Sequence, residues 1–100
     1  MCSITIQGVD SVNDFWIYLN GDRSKAYVAS GDGVNQPTIP WNNPDFLEIN
    51  VRYGLQDFFL WKMSCDEKLT KLYIVRDHRR TEGDKYTYYF WGDPLQTSYA

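Results

Sequence analysis

The sequence predicts an all-β domain, an antiparallel β-sandwich or barrel of about seven short strands ending in a C-terminal meander. Three observations predict it. No window sustains an apolar i, i+3, i+4, i+7 pattern, whereas β-branched and aromatic residues alternate with polar ones in short runs. Turn residues interrupt those runs about every twelve positions. The 100 residues suit one domain, spanning 1–100, with a single core.

The first strand covers residues 3–9, with Ile4 and Ile6 on one face and Thr5 and Gln7 on the other. Gly8 and the run Asp10-Ser11-Val12-Asn13-Asp14 break it. The second covers 14–20, where Phe15, Ile17 and Leu19 oppose Trp16 and Tyr18. Asn20-Gly21 follows, the strongest short hairpin signal. The third covers 25–30, with Ala26 and Val28 opposing Tyr27 and Ala29. Residues 31–45 carry three prolines and two glycines, a composition that predicts a long irregular loop. Such loops are often functional.

The fourth strand, 46–53, is the cleanest: Leu47, Ile49, Val51 and Tyr53 alternate with Glu48, Asn50 and Arg52. Gly54-Leu55-Gln56-Asp57 forms the next turn, and the fifth strand covers 58–65 with large apolar groups on both faces at its start. Asp66-Glu67-Lys68 turns the chain into a sixth strand, 71–77, with Leu72 and Ile74 opposing Tyr73 and Val75. A turn through Gly83 precedes the seventh, 85–91; Gly92-Asp93-Pro94 ends it and 95–100 is a tail. Strands four to seven read as a meander joined by short turns.

Composition narrows the function. A net charge of −3 argues against nucleic-acid binding, which needs Lys and Arg to displace counterions. The basic run Arg76-Asp77-His78-Arg79-Arg80 reads as a solvated hairpin end. The N-terminus lacks a basic start and an apolar run, and no long apolar stretch follows. The expectation is therefore a cytoplasmic protein with no membrane span; unconventional export or a mature secreted form is the alternative. Cys2 and Cys65 do not make a disulfide framework; they could pair if the first strand runs beside the fifth, which the sequence alone does not settle. With one histidine and no CxxC, no zinc pattern exists. Gly31-Asp32-Gly33 lacks the residues of a phosphate or calcium loop, so no metal or cofactor is expected.

Catalysis finds little support. His78 sits between Asp77 and Arg79 with no local nucleophile, and most acids lie in turns. Glu48 alone is mid-strand, where a pair with Arg52 is a charge ladder. The chain is not expected to be an enzyme.

Seventeen of the 100 residues are aromatic, and several strands carry rings on both faces. That is more than one small interior needs. Sugars stack a C–H face on indole or phenol and satisfy their hydroxyls with amides, carboxylates and guanidinium groups. Trp41, Asn42, Asn43 and Asp45 on the long loop, with Tyr89, Trp91 and Asp93 at the last strand's end, have that chemistry. A second candidate surface combines Trp16 and Tyr18 with Glu48, Asn50 and Arg52. It extends to Tyr89 and Trp91 if strands two and seven are neighbours. The expected function is non-catalytic carbohydrate binding, with a glycan ligand and a homo-oligomeric assembly that raises avidity. The alternative is a protein-binding module, such as an enzyme inhibitor or effector, docking through an aromatic patch.

Overall fold

A computed structural model describes residues 1–75, 80–82 and 86–89; from Val75 onward it does so through backbone pairing. The described residues form nine strands: β1 (Cys2–Val9), β2 (Phe15–Leu19), β3 (Ala26–Ala29), β4 (Thr38–Trp41), β5 (Phe46–Tyr53), β6 (Gln56–Ser64), β7 (Lys71–Val75), β8 (Arg80–Glu82) and β9 (Tyr86–Tyr89). They build two sheets, β4-β1-β7-β9-β8 and β3-β2-β5-β6, which pack as a sandwich. The expected all-β class is the class observed. Among the described residues no helix is long and apolar enough to cross a membrane.

Alternation decides which residues meet between the sheets. Ile4 and Ile6 of β1 and Leu72 and Ile74 of β7 face Phe15 and Ile17 of β2 and Leu47, Ile49 and Val51 of β5 in one buried cluster. In β6 a bulge opposite Ile49 and Asn50 skips Leu60, because Ile49 pairs with Trp61 while Asn50 pairs with Phe59. The extra residue lets Leu60 and Trp61, adjacent in sequence, both enter the core. That is how β6 accommodates apolar groups on both sides.

Two expectations need correction. Residues 38–41 are not irregular: β4 pairs antiparallel with β1, from Cys2 opposite Trp41 to Thr5 opposite Thr38. Pro40 is tolerated because β4 is an edge strand, where a missing N–H interrupts no second ladder. The C-terminal meander survives only as the β5–β6 hairpin. After β6 the chain crosses to the other sheet, where β7 runs parallel to both β1 and β9, and β8 lies outside β9. A period-two pattern specifies which face of a strand is buried but not which strand lies beside it.

The crossing is anchored covalently. Cys2 at the start of β1 and Cys65, just past β6, are disulfide-bonded with Cα atoms 5.7 Å apart. Their strands belong to opposite sheets, so the bond ties the two layers together rather than joining sheet neighbours.

At the opposite end, where β1, β3 and β5 finish, the loops pack closely. Ser11 donates its backbone N–H to Gly31 O at 3.0 Å. A Cβ on Gly31 would lie 2.3 Å from the carbonyl oxygens of Ser11 and Asn13, and one on Gly8 would lie 2.3 Å from Ser30 O. Only glycine permits this approach.

Candidate functional site

The outer face of the β3-β2-β5-β6 sheet carries a linked polar and aromatic array. Register places Tyr18 opposite Glu48, Trp16 opposite Asn50, and Arg52 opposite Asp57. All alternate with core residues, so all point away from the interior. After β2, Asn20 (φ 53°) and Gly21 (φ 72°) both take left-handed conformations, which Asn and Gly tolerate best. Ser24 donates its N–H to Asp22 Oδ1 at 2.9 Å. This turn delivers Arg23 back over the sheet.

Arg52 is the hub. Its guanidinium carbon lies 3.5 Å from the Trp16 ring centroid. Its Nε donates to Asp57 Oδ1 at 2.7 Å and its Nη2 to Asp57 Oδ2 at 3.2 Å, a forked geometry that lysine cannot reproduce. The Tyr18 hydroxyl donates to Asp57 Oδ2 as well. Arg23 lies 4.1 Å from the Tyr18 ring centroid and donates to Glu48 Oε2 at 2.6 Å. Asn50, which is buried, donates from Nδ2 to the same Glu48 oxygen at 3.0 Å.

These contacts shift the ionisations. Hydrogen bonding from Arg52 holds the Asp57 carboxyl below the usual carboxylate range. Burial, then the hydrogen bond to Asp57, pushes the Tyr18 phenol up. Arg52 is held still more firmly protonated by its hydrogen bonds to Asp57. By their hydrogen bonds, Asp57 and Glu48 both accept from neighbouring donors.

A groove of about 220 Å³ opens at the loop end of this face, lined by Val12, Asn13, Asp14, Trp16, Arg52 and Gly54. Its walls are held by the backbone. Ser11 Oγ donates to Asn13 O at 2.9 Å and accepts the Asn13 N–H at 3.1 Å. Asp14 Oδ1 accepts the Gly31 N–H at 3.1 Å, and Asp14 O accepts the Arg52 N–H at 3.0 Å. The groove thus combines a partly exposed indole, a guanidinium, an amide and a carboxylate on a braced frame.

The second candidate surface read from the sequence is therefore one connected array: Trp16, Tyr18, Glu48, Asn50 and Arg52 meet on one face. The first is not. Trp41 is 4% exposed and packs in the core, its indole N–H without an acceptor among the described residues. Its ring is not available for stacking, because β4 aims it between the sheets. Asn42 and Asn43 are exposed and, with Asp45, build the β4–β5 turn. Asn42 Oδ1 accepts the Asn43 N–H at 3.0 Å, Asn42 O accepts the Asp45 N–H at 2.8 Å, and Asp45 Oδ1 accepts from Asn20 Nδ2 at 2.9 Å. Trp91 and Asp93, like His78, lie outside the described residues, and Tyr89 is described only by its backbone pairing with Ile74. A patch shared by strands two and seven does not form by adjacency, since β2 and β9 belong to different sheets.

Sequence reasoning missed Arg23, Asp57, Asn13 and Asp14 as site residues. Asp57 had a legible signal: Arg52 and Asp57 flank the Gly54-Leu55 turn symmetrically, so hairpin register puts them opposite one another. Comparison with protein-family models, with curated proteins and with solved structures gives no match for this chain.

Proposed function

We propose that this protein is a non-catalytic carbohydrate-binding domain whose site is the Trp16–Arg52 groove. One observation supports it above the others: a partly exposed indole shares a braced groove with Arg52, Asn13 and Asp14. Arg52 covers one face of that indole, so a sugar's C–H face would stack on the other, and the polar groups offer donors and acceptors for hydroxyls. The frame is formed before any ligand arrives, which lowers the ordering cost of binding. A binding role rather than turnover is favoured because Glu48 and Asp57 each accept hydrogen bonds from fixed neighbours. A single shallow groove binds weakly, so assembly of several copies would serve avidity, as sedimentation analysis can read. The Cys2–Cys65 bond favours the alternative localisation, an oxidising compartment, over the cytoplasm.

The test is a glycan array followed by NMR titration. Binding should shift amide signals of residues 12–16 and 52–54 and be lost in Trp16→Ala. Absence of any sugar-dependent signal, or binding that survives Trp16→Ala, sinks the proposal.

A protein partner is the second reading, and a separate observation favours it. Val12, Val34 and Leu55, 92%, 85% and 99% exposed, all lie on loops at the groove's end of the sandwich. Exposed aliphatic tips clustered at one end suit an apolar pocket on another protein. A stoichiometric complex abolished by Leu55→Asp and Val34→Asp, yet indifferent to sugars, would establish that reading instead.

A further inference from the structure

The groove's charge and its one aliphatic wall restrict which sugars fit it. Of its two charged side chains, Arg52 is already balanced by the forked pair with Asp57, whereas Asp14 brings a carboxylate. The local balance is therefore negative, and an anionic sugar would meet repulsion with no free cation from the groove to offset it. Two residues before Asp14 on the same loop stands Val12, an aliphatic side chain that lines the groove yet is almost wholly exposed. Leu55, adjoining the groove residue Gly54, is exposed in the same way. A ligand carrying only hydroxyls leaves those side chains uncovered. A ligand carrying a methyl beside a hydrogen-bond donor covers Val12 and gives the Asp14 carboxylate an N–H to accept.

We propose that the groove selects a neutral 2-acetamido sugar, with the acetamido methyl on Val12, the amide N–H directed to Asp14, and the ring face on Trp16. This deepens the sugar-binding proposal and rests on it. Asp14 can serve the ligand while keeping its structural role, because Oδ1 accepts from Gly31 and Oδ2 is the second acceptor on the same carboxylate. Burying one methyl group is worth about fourfold in affinity.

Calorimetric titration of the full chain with five probes tests it: N-acetylglucosamine, N-acetylgalactosamine, glucose, galactose and glucuronate. The expected result is that each acetamido sugar binds at least about fourfold tighter than its parent hexose, with glucuronate weakest. In Val12→Ser, whose exposed position leaves the fold intact, the acetamido-to-hexose ratio should fall, leaving only the part owed to the Asp14 hydrogen bond. Asp14→Asn keeps an acceptor for the Gly31 N–H and should relieve the discrimination against glucuronate. Equal binding of acetamido and parent sugars overturns the inference while leaving sugar binding standing. So does a preference that Val12→Ser leaves undiminished, or glucuronate as the tightest ligand. Failure of all five probes, together with a silent glycan array, brings down sugar binding itself and this inference with it.

Discussion

Arg52 lays its guanidinium over the indole of Trp16, 3.5 Å from the ring centroid, while its fork is held by Asp57 on the facing strand. The stack fixes one wall of the groove and ties β2 to the β5–β6 hairpin. Replacing Arg52 by alanine should cost about 1 kcal/mol in urea unfolding, a modest figure because the Arg52 side chain keeps 31% of its surface in water. Arg52→Lys keeps the charge but not the planar fork, and should lose most of the same amount. An Arg52→Lys protein as stable as the parent would show that the fork and the stack contribute nothing beyond charge.

The Tyr18–Asp57 contact predicts losses of stability at both ends of the pH scale. The folded Asp57 pKa lies below its unfolded value. Its contribution is therefore complete above about pH 4 and disappears as pH falls through the folded pKa. Tyr18 is shifted upward, so its contribution is complete below about pH 10 and disappears as pH rises through its folded pKa. Asp57→Asn should flatten the acid limb of the denaturant midpoint against pH. It should also move the Tyr18 titration down, since Asp57 is one of the groups holding it up. Tyr18→Phe should remove the alkaline contribution and weaken the acid one in part, since its hydroxyl is among the groups that hold the Asp57 carboxyl down. Identical pH profiles for all three proteins would contradict the arrangement.

The glycines divide by what surrounds them. A Cβ on Gly8 or Gly31 meets backbone oxygen at 2.3 Å, and backbone cannot rotate aside. Gly8→Ala and Gly31→Ala should each lose about 3 kcal/mol, the upper end of overpacking, or fail to fold. Gly54 has φ +61° but nothing within 4 Å of its added Cβ. Gly54→Ala should cost only the left-handed penalty of about 1 kcal/mol. Thermal unfolding of the three variants side by side separates crowding from backbone strain; a Gly54 variant as impaired as the others would mean that the Gly8–Gly31 packing is not the discriminating feature.

Much of the core and part of the site were legible because strand periodicity reports burial directly. Phe15 and Ile17 point inward, so Trp16 had to point outward, and the same reasoning placed Glu48, Asn50 and Arg52 on one face. Trp41 escaped because its neighbours Pro40 and Pro44 look like loop punctuation. Only strand order reveals that β4 is an edge, where Pro40 is harmless and the next residue can dive into the core. Strand order was equally out of reach for β7, whose alternation fits either sheet. The groove is legible only in part: alternation in β2 and β5 turns Trp16 and Arg52 outward, but the loop that supplies Asn13 and Asp14 is shaped by tertiary contacts with Gly31 that no local pattern encodes.

The disulfide closes a long loop, since 63 positions separate Cys2 from Cys65. In the chain-entropy model, a loop of that size restricts the unfolded chain by about 4 kcal/mol. Cys2→Ala with Cys65→Ala should therefore lower the unfolding midpoint markedly, as should a strong thiol reductant. A double variant unfolding at the parent's midpoint would show that the sheets are held by packing alone.

Indole accessibility offers the most direct check on the site. Trp41 and Trp61 are 4% and 8% exposed, whereas Trp16 is only partly buried and lines the groove. In a Trp91→Phe background, which removes the indole outside the described residues, acrylamide should quench chiefly Trp16. Adding Trp16→Phe should abolish most of the quenchable emission, and Trp41→Phe should leave it. Arg52→Ala uncovers one face of the Trp16 ring and should raise the quenching constant. A sugar seated on the indole must shield it, so saturating N-acetylglucosamine should lower that constant in the parent and change nothing in the Trp16 variant. Quenching that follows Trp41 instead would place the accessible ring on β4 and return the search for a ligand site to the β4–β5 turn.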